Sequence, residues 1–203
     1  MLRSPFISPP ARRLFLGLGV AVAGLLGACS SGGSSDAESA ATAQNEQKIN
    51  EADVTGKQEA DAEFLVKATG NALLEVELGK LVQTRATLPA ARAYGAGIVQ
   101  NRLELLAGLR ALAANKNLTL PPALGDDGQA AYHEVSTQTG TQLDKHALAL
   151  LVKTQKQDED AFDDMKDDAY DGDIRGLAAK YHSSVKEQLA SAKEVADAVE
   201  KLP

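Results

Sequence analysis

The stretch at residues 64–106, FLVKATGNALLEVELGKLVQTRATLPAARAYGAGIVQNRLELL, decides the fold. Apolar residues recur at helical intervals on both sides of a break at Thr87-Leu88-Pro89, and no strand-like alternation is present. A proline suits the first turn of a new helix. The stretch therefore predicts an antiparallel hairpin of two long helices, over residues 60–86 and 89–115. The apolar positions are Phe64, Ala68, Leu74, Leu78 and Val82 before the break, and Tyr94, Ile98, Leu105 and Leu112 after it.

The second half of the chain shows the same helical period. Helices are predicted over residues 141–169 and 173–201, separated by a tight turn in which Asp173 can cap the second helix. The connection between the two hairpins, residues 116–140, is long and contains a short predicted helix near residues 129–137. A long crossover is typical of ferritin-like bundles rather than up-down-up-down bundles. The predicted fold is all-α, a ferritin-like four-helix bundle with a long crossover between the second and third helices.

The N-terminus carries the pattern of a targeting signal. Three arginines flank or precede an uncharged apolar run at residues 14–26, which is too short to span a bilayer because spanning takes about twenty residues. The run leads into Gly27-Ala28-Cys29, which resembles the lipobox of bacterial lipoproteins, where the cysteine is acylated and becomes the mature N-terminus. Residues 1–28 are therefore predicted to be a lipoprotein signal peptide, with Cys29 as the lipidated residue.

Charge restricts the partners of the mature chain. Removing residues 1–28 takes away three arginines and no acidic residue, which changes the formal net charge from −7 to −10. A chain this acidic is not expected to bind nucleic acid or to adsorb electrostatically to anionic lipids. Membrane attachment is therefore expected through lipid on Cys29. In Gram-negative lipoproteins an aspartate directly after the cysteine favours retention in the inner membrane. This chain has Ser30 there, so the periplasmic side of the outer membrane is the expected location. The pair Arg12-Arg13 leaves the general and the twin-arginine export routes both open.

Composition divides the mature chain into two parts. Residues 30–57 are rich in Ser, Gly, Ala and acidic residues and contain only one Ile and one Val. Such a segment buries too little apolar surface to offset the entropy of ordering it. Residues 29–57 are therefore predicted to be a disordered tether, and residues 58–203 the folded helical domain.

One polar residue interrupts the apolar stripe near the middle of each predicted long helix. Steps of three, four or seven residues keep these side chains on the apolar face, so they are expected to meet in one buried layer. The four residues are Glu75, Asn101, Gln155 and Gln188. Metal sites of helical bundles use carboxylate and imidazole at such positions, whereas amide oxygens bind transition metals poorly. The layer therefore predicts no metal site.

Several segments resemble the bacterial exported proteins known as domain of unknown function 4142. The resemblance implies a ferritin-like fold and an envelope location. It rests on Phe64-Leu65-Val66-Lys67-Ala68, Glu75-Val76-Glu77-Leu78-Gly79-Lys80-Leu81, Leu120-Pro121, Gly140, Leu143-Asp144, Phe162, Ala169, Leu189-Ala190 and Ala192-Lys193-Glu194. This chain departs from the family by carrying Asn101, Gln155 and Gln188 where histidines are common, and the departure argues against metal chemistry.

We expect a non-enzymatic envelope lipoprotein without a cofactor, whose protein partner the sequence does not name. Two alternatives remain open: a metal-binding oxidoreductase or storage protein that uses Glu75, and a small-ligand-binding module that uses the polar layer. The acidic run at residues 158–173 is expected to be a solvated helix face, with weak cation binding as its alternative. His133, His146 and His182 are expected to be exposed or interfacial, because none shares the inward stripe.

Overall fold

The computed structural model describes residues 36–51 and 56–202, and within them the protein is all-α, which confirms the predicted fold class. The long helices and the short crossover helix begin and end within a few residues of their predicted bounds. The six helices are α1 (Ala37–Glu51), α2 (Gly56–Arg85), α3 (Pro89–Asn115), α4 (Asp126–Ser136), α5 (Gly140–Asp168) and α6 (Gly172–Glu200). None of these helices is long and apolar enough to cross a membrane.

Helix α1 was not predicted from the sequence. The prediction of a disordered tether over residues 29–57 is therefore wrong for Ala37–Glu51. Ala41, Asn45 and Ile49 recur every four residues and are buried, so the helix has a packing face despite its polar composition. The tether prediction is also wrong at its end, because residues 56 and 57 belong to α2, while residues 29–35 and 52–55 lie outside the described residues.

Polar contacts hold α1 against the crossover. The Asn45 side chain donates to the Thr119 carbonyl (2.9 Å) and accepts from the Thr119 backbone N–H (2.7 Å). Lys48 donates to Thr119 Oγ1 (2.8 Å), and Asp36 accepts from the Asp126 N–H at the start of α4 (2.7 Å). These bonds, most of them to backbone groups, supplement the small apolar surface that Ala41 and Ile49 bury.

The contacts between helices fix their directions. Helix α2 packs against α3 and α5, and α6 packs against the same two helices. Asp144, in the first turns of α5, accepts hydrogen bonds from the backbone just before α3, at Thr87 and Leu88. Helices α3 and α5 therefore start at the same end of the domain and run parallel. Two successive parallel helices need a long return connection, which the crossover with α4 supplies.

Helices α2 and α3 approach each other closely at Gly95. A Cβ atom there would lie 2.7 Å from the Gly79 carbonyl oxygen and 2.7 Å from the Gln83 backbone nitrogen. Both neighbours are backbone atoms that cannot move aside, so a larger residue would push the two helices apart. The pairing of α2 with α3 therefore requires glycine at this position.

The two hairpins are built alike, with equivalent positions 83 residues apart. Asp61 on α2 accepts from the N–H groups of Tyr170 (3.0 Å) and Asp171 (2.7 Å) before α6, as Asp144 does for Thr87 and Leu88 before α3. Asn101 and Ser184, themselves 83 residues apart, hydrogen-bond to each other (2.7 Å). A position that contacts its own equivalent marks a two-fold relation. The chain thus folds as two similar halves that face each other.

The apolar core falls into two clusters, each lined by residues from all four long helices. One surrounds Leu78 and Leu151, and the other surrounds Leu65 and Leu109. Between the clusters, at the middle of the domain, the buried residues are polar and charged. This central layer is the candidate functional site.

Candidate functional site: a buried ion cluster

The middle of the core holds three ionisable side chains, Glu75 on α2, Arg102 on α3 and Asp158 on α5. Their side chains are at most 1% exposed. Arg102 Nε donates to Glu75 Oε2, and Arg102 Nη2 lies 3.9 Å from Asp158 Oδ2. The guanidinium therefore lies between two carboxylates that come from different helices. We call these three residues the ion cluster.

Neutral polar groups surround the ion cluster. Gln155 Nε2 donates to the Tyr94 hydroxyl (2.6 Å), and Asn71 Nδ2 donates to Asp158 Oδ1 (2.7 Å). Glu75 Oε1 and Gln155 Oε1 have no hydrogen-bond partner among the described residues. Asp158 Oδ2 and both Arg102 Nη atoms are likewise without a hydrogen-bond partner there, so the layer leaves oxygen acceptors and guanidinium donors unpaired.

Burial dominates the ionisation of the two carboxylates. It raises the pKa of Glu75 to about 8, although the attraction of Arg102 opposes the shift. Burial likewise raises the pKa of Asp158 to about 6. Burial alone would lower the pKa of Arg102, but the attraction of Glu75 and Asp158 outweighs it and the net shift is upward. The cluster therefore combines one permanent cation with two carboxyl groups that retain protons above their usual range.

The structure brings together only part of the predicted polar layer. Glu75 and Gln155 are fully buried at the middle of the core. Asn101 and Gln188 are only half-buried, and the Asn101 side chain donates to Ser184 on α6 rather than to Glu75 or Gln155. The prediction of one buried ring of Glu75, Asn101, Gln155 and Gln188 is therefore wrong for Asn101 and Gln188.

The helical phase of α3 and α6 explains the difference. On α3, Asn101 and Arg102 both fit the spacing between Ile98 and Leu105, but Arg102 takes the inward position. Arginine is rarely fully buried unless it is paired, and the sequence alone did not show its partners. On α6 the inward position belongs to Leu189, which is 5% exposed, so Gln188 lies one residue off the stripe.

Asp158 was missed because it opens the acidic run at residues 158–173. It lies four residues before Phe162, on the inward stripe, while several carboxylates further along the run pair with lysines at the surface. Lys166 contacts Asp163 (3.0 Å) and Asp167 (2.6 Å), for example. The run thus contributes one residue to the core and several to a solvated face.

The residues of the ion cluster do not fit a transition-metal site of the kind that the predicted ferritin-like fold would imply. Arg102 places a permanent positive charge beside both carboxylates, and like charges repel. The histidines do not contribute, since His133 and His146 are exposed and His182 lies near Asp163 (3.1 Å) at the side of the domain. Among the described residues no group of three or more His, Cys, Asp or Glu side chains is arranged to hold a metal ion.

The predicted lipidation residue, Cys29, and the predicted signal peptide at residues 1–28 lie outside the described residues.

The fold and the cluster define an all-α domain made of two similar halves, with an ion cluster buried where the halves meet. The chain belongs to the family described as domain of unknown function DUF4142, whose model matches residues 37–195. The match begins at the first residue of α1, so the family domain includes the helix that the sequence did not predict. No curated protein and no solved structure matches the chain.

Proposed function

We propose that this protein is a non-enzymatic envelope lipoprotein, a ferritin-like helical domain attached through lipid on Cys29 to the periplasmic side of the outer membrane. The observation that carries the non-enzymatic part is the position of Arg102. Its guanidinium occupies the space between Glu75 and Asp158, where a catalytic helical bundle would hold a metal or a substrate.

The burial of the ion cluster supports a structural role. A catalytic acid or base must reach the atom that it protonates or deprotonates. Glu75 and Asp158 are at most 1% exposed. The five surface pockets described, about 210 to 480 Å³ in volume, are lined by none of the cluster residues. The cluster therefore joins the two halves of the domain rather than facing a substrate.

The N-terminal sequence supports the lipid attachment. A basic flank, a short apolar run, small residues and a unique cysteine coincide at residues 1–29. The formal net charge of −10 without residues 1–28 opposes adsorption to anionic headgroups, which leaves lipid chains as the means of attachment. On this proposal the protein acts through its surface, as a partner or spacer in the envelope.

Membrane fractionation and intact mass of the Cys29→Ser protein test the attachment. We expect the wild-type chain in the outer-membrane fraction with the mass of a cleaved, acylated protein. The Cys29→Ser chain should keep its signal peptide or appear in the soluble fraction, and Ser30→Ala should behave as wild type. A Cys29→Ser chain that differs from wild type only by the mass of the substitution and keeps its membrane association would refute the lipoprotein proposal.

The alternative of a metal-dependent oxidoreductase or storage protein has one structural observation in its favour, the buried pair Glu75 and Asp158. It requires wild-type protein to bind metal stoichiometrically in spite of Arg102, which is tested directly in the Discussion.

A further inference from the structure

The two carboxylates of the ion cluster occupy equivalent positions in the two halves of the chain. Glu75 on α2 and Asp158 on α5 are separated in sequence by the same number of residues as Asn101 and Ser184, which hydrogen-bond to each other. Glu75 and Asp158 are both fully buried. The position equivalent to Arg102 is Val185 on α6, which is 1% exposed and apolar. The carboxylates therefore follow the two-fold relation, whereas the cation comes from one half only.

The oxygen atoms around Arg102 form a set suited to a hard divalent cation. Glu75 and Asp158 each approach the guanidinium, and both have an oxygen atom without a hydrogen-bond partner among the described residues. The carbonyl oxygen of Gln155 is also buried and without such a partner. Carboxylate and carbonyl oxygens suit the hard cations Ca²⁺ and Mn²⁺, unlike the other transition-metal ions, which favour imidazole or thiolate.

The charges of the cluster cancel only while one carboxyl group keeps its proton. Above about pH 8, where Glu75 is ionised as well as Asp158, two carboxylates and one guanidinium leave one excess negative charge in the core, where an unpaired charge is costly. A divalent cation in place of the guanidinium would neutralise both carboxylates. Arg102 thus places one positive charge at a position where a divalent cation would also be electrostatically stable.

We propose that Arg102 is the built-in cation of a two-carboxylate site, and that a chain without this guanidinium binds one divalent cation at Glu75 and Asp158. In the wild-type protein the guanidinium occupies the site and excludes the ion. The proposal goes beyond the proposed function, and it holds whether or not the protein is attached to a membrane.

Calorimetric titration with Mn²⁺ tests the proposal on the full chain purified in detergent. We compare wild type with Arg102→Ala, which leaves space for the ion, and with Arg102→Gln, which keeps most of the side-chain length without the charge. We expect one Mn²⁺ per chain in at least one variant, bound at least tenfold more tightly than by wild type. The double variant Glu75→Gln/Arg102→Ala should lose that binding at least tenfold.

Arg110→Ala is the matched control, because Arg110 lies on α3 as well but is exposed. It removes the same charge from the chain, so general attraction of Mn²⁺ to an acidic surface would strengthen equally in both variants. Equal Mn²⁺ affinity in Arg110→Ala and the Arg102 variants would overturn the proposal.

Circular dichroism keeps the test decisive if the Arg102 variants are unfolded without metal. The proposal then requires millimolar Mn²⁺ to restore helix content in Arg102→Ala but not in Glu75→Gln/Arg102→Ala. Variants that stay unfolded with Mn²⁺, or that fold without it and bind none, would refute the proposal.

Discussion

Glu75 and Asp158 lie on different helices, occupy equivalent positions in the two halves of the chain and flank the same guanidinium, that of Arg102. This relationship makes the ion cluster a joint between the halves, since α2 and α3 belong to one hairpin and α5 to the other. Breaking the cluster should therefore affect the whole domain.

Loss of the guanidinium should be strongly destabilising. Arg102→Met leaves two buried carboxylates without a cation, which we expect to lower the free energy of unfolding by about 3–5 kcal/mol near pH 8. The cost should shrink near pH 5, where both carboxyl groups can take up protons. Urea unfolding at both pH values measures the effect. Arg110→Met on the exposed face should change stability by less than about 0.5 kcal/mol, and equal costs for both variants would contradict the role of the cluster.

Stability should fall as the pH rises through neutrality. The pKa of Glu75 is about 8 in the folded protein against 4.5 for the free side chain, so the folded state binds more protons between these values. Stability is then complete below about pH 4.5 and is lost as the pH rises through 8, with a slope approaching about 1.4 kcal/mol per pH unit. Asp158 acts in the same direction between pH 3.8 and about 6.

Glu75→Gln should remove most of this slope between pH 6 and 8, because the remaining Asp158 and Arg102 form a neutral pair. Urea unfolding at several pH values gives the slope for each protein. Glu63→Gln, on the exposed side of α2, should keep the wild-type slope. A steep slope in Glu75→Gln would show that another group binds the proton.

Asp61 and Asp144 should each stabilise the turn of the opposite hairpin. Asp61→Ala and Asp144→Ala leave backbone N–H groups without acceptors, with an expected cost of about 0.5–2 kcal/mol each. Asparagine keeps one acceptor oxygen, so Asp61→Asn and Asp144→Asn should cost less. The two turns lie at opposite ends of the domain, so the losses in the double alanine variant should add within about 0.5 kcal/mol. Thermal unfolding of the five variants tests this, and strong non-additivity would contradict the separation.

Helix α1 should be a stable part of the domain. Asn45→Ala removes both hydrogen bonds to the Thr119 backbone, and Ile49→Ala removes buried apolar surface. Hydrogen exchange of the α1 amides should be slow in wild type and at least tenfold faster in either variant, since local opening frees them. Gln44→Ala, on the exposed side of α1, is the control. Fast exchange of these amides in wild type would show that α1 is not packed.

The fold class followed from hydrophobic period and connection length, because Pro89 and the turn at residues 170–173 divide two long amphipathic hairpins. Helix α1 could not be predicted in this way. It is held against the crossover by side-chain hydrogen bonds to backbone groups, such as that from Asn45 to Thr119, which join residues far apart in sequence. The period of apolar residues carries no information about such contacts.

The candidate site was predictable in part. Glu75 and Gln155 interrupt clear apolar stripes, whereas Arg102 competes with Asn101 for one inward position and only tertiary contacts decide between them. The internal similarity was the missed signal. Asp61 with Asp144, Ala86 with Ala169 and Arg92 with Arg175 share one spacing, and the same spacing from Glu75 leads to Asp158.

Elemental analysis of the wild-type chain, purified without chelator and with its thermal midpoint measured with and without Mn²⁺, tests the central claim most directly. The claim is that Arg102 fills the two-carboxylate site, so we expect far less than one transition-metal ion per chain and no metal-dependent rise in the midpoint. One tightly bound ion per chain that disappears in Glu75→Gln would contradict it and establish the protein as a metal-binding member of its family.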